Sequence, residues 1–356
     1  MSAGSDGHAL ITGGAGFVGS NLAARLLAEG RTITIYDNLS RPGSETNLRW
    51  LRAQFGEKLR VRIGDTRDVP ALREAVGGAS QVFHFAAQVA VTSILLDPLL
   101  DFDINLRGTL NLLEAIRHAR HRPSLVFTST NKVYGALSDV SLEHVGVRYR
   151  PVDAHVRAHG IPESRLLDFH SPYGCSKGGA DQYVLDYARS YGVPAVVLRM
   201  SCIYGPHQFG NEDQGWVAHF LIRALQDDTI TLYGDGAQVR DILFVEDLVE
   251  AMLLCQCDIA KLRGRAFNIG GGPHNAISLL ELLRKMDALM GAAPRVEHAP
   301  WRIGDQRWYV SDTRAFRDAT GWRPGVGVDE GITRLHAWLC AARFEKEHEP
   351  AGAHAA

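Results

Sequence analysis

Tyr173 and Lys177 stand four residues apart in Ser171-Pro172-Tyr173-Gly174-Cys175-Ser176-Lys177. On a helix that spacing brings the phenol and the ammonium onto one face. A tyrosine with its ordinary pKa of about 10 offers little phenolate at neutral pH, and burial alone raises it further. A neighbouring ammonium favours the phenolate, and a base of this kind can take the proton of a sugar or alcohol hydroxyl, a contribution of about 10²–10⁴-fold. A Tyr-x-x-x-Lys match by itself is common on helix surfaces. Its meaning depends on what else the chain carries.

A glycine-rich turn opens the chain. Ala9-Leu10-Ile11 reads as a short buried strand, Thr12-Gly13-Gly14-Ala15-Gly16-Phe17-Val18-Gly19 follows directly, and a helix is predicted from about Phe17. Gly14, Gly16 and Gly19 fit a G-x-G-x-x-G spacing, whereas Gly13, Gly16 and Gly19 fit a three-residue repeat. Both registers serve a tight turn, close backbone approach to a pyrophosphate and a helix N-terminus on the anion. A second strand, Thr32 to Tyr36, ends in Asp37, where an acid binds the adenosine ribose and selects NAD; Arg41 leaves some room for NADP. A dinucleotide turn together with a phenolic base implies hydride transfer at a carbon bearing a hydroxyl.

Strands and helices alternate through roughly the first two hundred residues, which predicts an α/β fold, a Rossmann-type doubly wound parallel sheet with a smaller C-terminal substrate-binding lobe. Further strands are read at Arg60 to Ile63, Val82 to Phe85 and Leu125 to Thr128, with a helix from about Phe102 to Arg120. Ligands of such sheets lie at the carboxyl ends of the strands, so Asp37, Asp65, Ala86-Ala87-Gln88 and Thr128-Ser129-Thr130 should ring one crevice. The nucleotide-binding domain is expected over 1–200 with returns from about 240–270, the lobe over 201–345 and a frayed tail over 346–356.

With 356 residues, 46% apolar, the chain can bury a large core, and a net charge of −2 gives no case for nucleic acid or an anionic membrane surface. No apolar run reaches the 18 or so residues of a membrane span, and Met1 to His8 lacks the pattern of a signal peptide, so a cytoplasmic location is expected. Cys175, Cys202, Cys255, Cys257 and Cys340 lack metal-ligand spacing and read as free thiols, and no metal is expected.

From about Ala9 to about Trp338 the residues resemble a family, the extended short-chain dehydrogenase/reductases that modify nucleotide-linked sugars. Tyr36-Asp37-Asn38-Leu39-Ser40-Arg41, Asn47-Leu48-Arg49-Trp50-Leu51, Ser129-Thr130-Asn131-Lys132-Val133-Tyr134-Gly135 and Leu167-Asp168-Phe169-His170-Ser171 leading into Tyr173 carry the likeness. Asp213-Gln214-Gly215-Trp216-Val217, Gln238-Val239-Arg240-Asp241, Phe267-Asn268-Ile269-Gly270-Gly271 and Asp305-Gln306-Arg307 continue it. Ser-Thr-Asn-Lys and Leu-Asp-Phe-His-Ser are the more specific of these.

The resemblance implies catalytic roles for Tyr173 as base, Lys177 as its tuner and holder of the nicotinamide ribose, and Thr130 as the hydroxyl on the reacting sugar oxygen. It implies NAD contacts at Gly13, Gly16, Phe17, Val18, Gly19, Asp37, Asn38, Ser40, Arg41, Asp65, Thr66, Phe85, Ala86, Ala87, Gln88, Asn105, Thr128 and Ile203. Sugar contacts are implied at Gln88, Asn131, His170, Ser201 and Gln214, and diphosphate contacts at Arg240 and Arg307. The implied reaction is a redox-neutral epimerisation of a nucleotide sugar, inverting C2 of a CDP-linked deoxyhexose through a 2-keto intermediate. A 4-epimerase uses the same Tyr, Lys and Thr and is the alternative. A 4,6-dehydratase is disfavoured, because those enzymes carry Asp-Glu where this chain has Asn131-Lys132. The resemblance also implies a homodimer or homotetramer through the helices near 102–120 and 180–191, with Val184, Leu185 and Tyr187 serving interface or core. An apolar stretch at Val91 to Leu96, Met200 in place of a polar residue and His207 in place of arginine depart from the family's pattern, and suit either a deoxygenated sugar or a different nucleotide sugar.

Overall fold

The computed structural model describes residues 7–89, 97–302 and 305–348; the Val91 to Leu96 stretch lies outside the described residues. In chain order the strands are β1 (Ala9–Thr12), β2 (Ile33–Asp37), β3 (Leu59–Ile63), β4 (Gln81–His84), β5 (Ser124–Thr130), the hairpin β6 (Leu142–Val145) and β7 (Arg148–Pro151), β8 (Ala195–Met200) and β9 (Cys202–Tyr204). They continue with β10 (Ile230–Tyr233), β11 (Val239–Phe244), β12 (Ala266–Ile269), β13 (Ala276–Ser278), β14 (Val296–Ala299) and β15 (Trp308–Tyr309).

Seven strands form one parallel sheet in the order β12-β8-β5-β4-β1-β2-β3. The chain leaves β1 to one side for β2 and β3, then crosses to the other for β4 and β5. That reversal opens a crevice at the carboxyl ends of β1 and β4, where a doubly wound sheet takes its ligand. Every residue of β1 and β5 is buried, because helices cover both faces of a parallel sheet.

On one face, Leu22 and Leu26 of the Phe17–Ala28 helix pack with Ile35, Leu248, Met252, Phe267, Phe316 and Trp322. The Val245–Cys257 and Arg314–Thr320 helices therefore return to the nucleotide-binding half, and so does β12. β11 pairs with β13, β15 and β9 instead of joining the seven-stranded sheet. The opposite face packs Leu112, Leu113 and Ile116 against Leu125, Phe127, Val184 and Tyr187, with Leu185 leaning on them, which assigns Val184, Leu185 and Tyr187 to the core. The C-terminal helix Val328–His348 runs into the segment expected to be a tail, and the remainder lies outside the described residues.

The helix predicted from Phe102 to Arg120 is three pieces. A short helix, Pro98–Phe102, is capped by Asp97 through the Leu100 N–H; a π-helical turn spans Asp103–Arg107; and a regular helix runs Gly108–His118. A π turn widens the backbone locally and is often found at functional sites. Here it carries Asn105.

Candidate active site

The glycine turn is set by close contacts. Gly13 has φ +69°, and a Cβ there would lie 2.6 Å from the Ala86 nitrogen. A Cβ on Gly19 would lie 2.4 Å from the Gly13 carbonyl oxygen. Gly16 is the extended residue that starts the Phe17–Ala28 helix, and no side chain caps it. The helix's first N–H groups are left to an anion. Phe17 and Val18 form the opening of that helix. Asp37, buried at the end of β2, accepts from the Ala15 N–H at 2.9 Å and the Leu39 N–H at 2.9 Å, which ties the glycine turn to the second strand. Burial raises its pKa, and these N–H groups oppose that rise.

Farther out, Asn38 donates to Asp65 at 2.9 Å and receives the Ser40 hydroxyl at 2.7 Å. Asp65 is held down at about 2, chiefly by hydrogen bonding from Arg67. Thr66 is buried, and its carbonyl accepts from Asn111 at 3.1 Å. Phe85, Ala86 and Ala87 pass beneath the glycine turn, with the Phe85 and Ala86 N–H groups donating to the Thr12 carbonyl at 2.9 and 3.1 Å.

The Ser171–Ser190 helix brings Tyr173 and Lys177 to the end of β5. Gly178 lets the helix settle on Phe169, whose ring would lie 2.4 Å from a Cβ at that position. Lys177 is buried; its ammonium donates to the Thr128 carbonyl at 2.6 Å and sits 4.4 Å from the centre of the Phe127 ring. Burial pulls Lys177 down to about 8, against the pull of Asp181 and Asp101. The Thr128 hydroxyl donates to the His84 carbonyl at 2.9 Å. Buried His84, held between Thr12 and Thr109, is driven down to about 3 by desolvation and by Lys177 and is neutral.

Burial pushes Tyr173 up to about 12; hydrogen bonding with the Thr130 hydroxyl pulls it back, Asp101 raises it and Arg41 lowers it. Lys177 is tied to the end of β5, and Arg41, itself desolvated, is a cation that lowers the Tyr173 phenol. Asn105 clamps the Gln88 peptide from both sides, accepting its N–H at 2.8 Å and donating to its carbonyl at 2.9 Å.

On the lobe side, Asn131 is buried and donates to Gln306 at 3.3 Å, and Gln306 donates to the Gly135 carbonyl at 2.6 Å. Arg240, buried, donates to Asp305 at 2.7 Å, and Lys132 reaches the same carboxylate oxygen at 3.5 Å. Two cations thus share one carboxylate beside Thr130. Arg240 is one of the two arginines expected at the diphosphate; Lys132 is legible in the sequence only as part of the Ser-Thr-Asn-Lys motif.

Other expected contacts are not brought together. Ser201 is spent on Asp241, whose carbonyl it meets at 2.9 Å. His170 is exposed and pairs with Asp168 at 2.9 Å, and Gln214 is exposed in a turn closed on Asn211. Arg307 is exposed against the rings of Tyr149 and Trp301, while Gln306 beside it is buried. Ile203 and Met200 pack partly buried on the core below the crevice. His207, with φ +66°, stacks on Trp50 at 3.6 Å and is pushed down to about 4 by burial.

A glycine turn on a bare helix N-terminus, an acid at the second strand and a Thr130–Tyr173 pair over Lys177 define a nicotinamide-dependent enzyme of the extended short-chain dehydrogenase/reductase type. A family model described as NAD dependent epimerase/dehydratase matches residues 9–270. The chain belongs to this family, and NAD is its cofactor. It is 42% identical over 335 residues to the CDP-paratose 2-epimerase of Salmonella typhi, covering 92% of this chain and 98% of the relative. The UDP-glucose 4-epimerase of Thermus thermophilus, solved with NAD, matches with a TM-score of 0.77 at 33% identity, covering 94% of this chain and 99% of that one. The dTDP-glucose 4,6-dehydratase DesIV of Streptomyces venezuelae, solved with NAD and TYD, matches with a TM-score of 0.81 at 28% identity, covering 95% and 98%.

Proposed function

We propose that the chain is an NAD-dependent nucleotide-sugar epimerase that inverts C2 of a CDP-linked deoxyhexose, converting CDP-paratose to CDP-tyvelose through a 2-keto sugar. The likeness to the Salmonella typhi CDP-paratose 2-epimerase over nearly the whole of both chains carries this reading. Bound NAD supplies a hydride acceptor that also returns the hydride, and its oxidised ring adds positive charge to the site. Tyr173 takes the proton of the C2 hydroxyl and gives it back after the ketone has turned its other face. Thr130 holds the same oxygen, and Arg41 favours the phenolate that does the work. Asn105 fixes the Gln88 backbone under the sugar. Incubation of the purified protein with CDP-paratose, without added cofactor, should yield CDP-tyvelose by chromatography; a product inverted at C4 from UDP-glucose alone would replace this reading with the second one.

That second reading, a 4-epimerase, is supported by relatives such as the UDP-glucose 4-epimerase of Mycolicibacterium smegmatis at 31% identity. Dehydration is disfavoured by Asn131 and Lys132, which bring an amide and an ammonium where expulsion of water needs an acid and a base. Instead, Lys132 and Arg240, sharing Asp305, suit the substrate diphosphate. Lys132→Met is expected to raise KM for the CDP-sugar about tenfold, the loss of one charge-assisted contact, with kcat within about threefold. A steady-state comparison in which kcat falls and KM stays put would remove Lys132 from the binding role.

Exposed Leu99 and Phe102 lie near the start of the Gly108–His118 helix, and exposed Tyr183 and Tyr191 on the Ser171–Ser190 helix and its end. These apolar side chains support a homodimer, or a tetramer built from it, and light scattering should give a mass of at least two chains. A monomer at working concentration would exclude it. Five unpaired cysteines support a cytoplasmic location.

A further inference from the structure

Asp101 is 1% exposed and sits one helical turn before Asn105. One carboxylate oxygen accepts from the Asn105 amide at 2.9 Å. The same amide donates to the Ser176 hydroxyl at 3.2 Å, and Ser176 lies against the carboxyl. The other oxygen, Oδ2, is buried without a hydrogen-bond donor among the described residues. An unmet carboxylate oxygen in the interior is costly, so an amide or an apolar residue would serve a purely architectural role better. Charge offsets that cost here. Asp101 acts on Lys177 and on Tyr173, raising the proton affinity of both, while Lys177 and the two hydrogen-bonding side chains draw the carboxyl back from the rise that burial imposes.

We infer that Asp101 is a positioning residue for proton transfer: its buried carboxylate is the negative charge behind the Tyr173–Lys177 pair, keeping the transferred proton on the Tyr173 oxygen. This rests on the reading of Tyr173 as the base of a redox-neutral epimerisation. In such a reaction the proton taken from the hydroxyl must be returned to the same oxygen, with none released to water. A neighbouring anion keeps it on the phenol until the hydride comes back. Facing this centre are Tyr173, Ser176 and Lys177 from one helix, Asn105 from the π turn and Arg41 from the loop after β2. Asp181 also acts on Lys177, but its charge is matched by Arg199, which it meets at 2.9 and 3.0 Å. His84 is neutral, and Asp103 is paired with Arg107 at 3.1 Å.

The test is the pH profile of kcat/KM for CDP-paratose in the NAD-loaded wild type, Asp101→Asn, Asp101→Leu and Tyr173→Phe. Loss of the anion makes Tyr173 ionise more readily and Lys177 lose its proton more readily, so both limbs should move to lower pH, by about one unit. Asp101→Asn keeps the shape and the Asn105 contact, so a merely structural residue would leave the limbs in place. Unmoved limbs in a folded Asp101→Asn enzyme overturn the inference. Should that variant not fold, Asp101→Leu, which also removes the stranded oxygen, must give the same acidward shift or the inference fails. Full activity in Tyr173→Phe would instead overturn the underlying assignment of the base, whatever the limbs do.

Discussion

Tyr173→Phe is expected to lower turnover at least about 10³-fold while the purified protein keeps its NAD. The substitution removes one oxygen and leaves the ring, the helix and the Lys177–Thr128 bond in place. It deletes the group that carries the proton between hydroxyl and ketone, and no other acid stands ready: Thr130 is not acidic enough, and Lys177 is turned towards the Thr128 carbonyl. Substrate KM should change little, because the diphosphate side of the site, Arg240 with Lys132, is untouched. NAD content, read from an acid extract of the protein, separates this from misfolding. Activity within tenfold of wild type would mean that another group is the base.

Gly19→Ala is expected to strip the protein of NAD. A Cβ there would stand 2.4 Å from the Gly13 carbonyl oxygen and 2.6 Å from the Gly14 Cα, backbone atoms that cannot swing aside as a flexible side chain would. The turn must open, and with it the contact between Gly13 and Ala86 that forms the crevice floor. Overpacking of this kind costs about 1–3 kcal/mol in stability, and the displaced helix N-terminus no longer meets the pyrophosphate. Gly77→Ala makes a fair control, since nothing lies within 4 Å of the added atom, and should be neutral in melting temperature and NAD content. A Gly19→Ala protein that retained a full complement of NAD would show that the turn does not carry the dinucleotide.

Where residue type and spacing decide an element, the sequence was legible. The strands read at Ala9, Thr32, Arg60, Val82 and Leu125 lie within about two residues of β1 to β5, because a sheet covered on both faces leaves short apolar runs punctuated by turns. Thr130 and Tyr173 are read from two separate motifs, and the fold brings their hydroxyls within hydrogen-bonding reach. The π turn was not legible: a shift of one residue in a hydrogen-bond ladder leaves no periodic mark in side chains over so short a stretch. Asp101 has a signal only in hindsight, its i, i+4 spacing to Asn105, since burial behind Lys177 depends on how three helical segments pack. Arg307, His170 and Gln214 are exposed, and sequence position alone does not report that exposure, as the buried Gln306 beside Arg307 shows. Ser201 found its partner forty residues away in Asp241, a contact that only the lobe's fold creates.

CDP-paratose carrying deuterium at C2, incubated with the NAD-loaded protein in ordinary water without added cofactor, tests the central claim most directly. Hydride removal and return within one closed site should give CDP-tyvelose inverted at C2 with its deuterium kept, and a Tyr173→Phe enzyme should give none. Inversion accompanied by exchange of the C2 deuterium with solvent would contradict it, because the carbon would then have lost a proton and not a hydride.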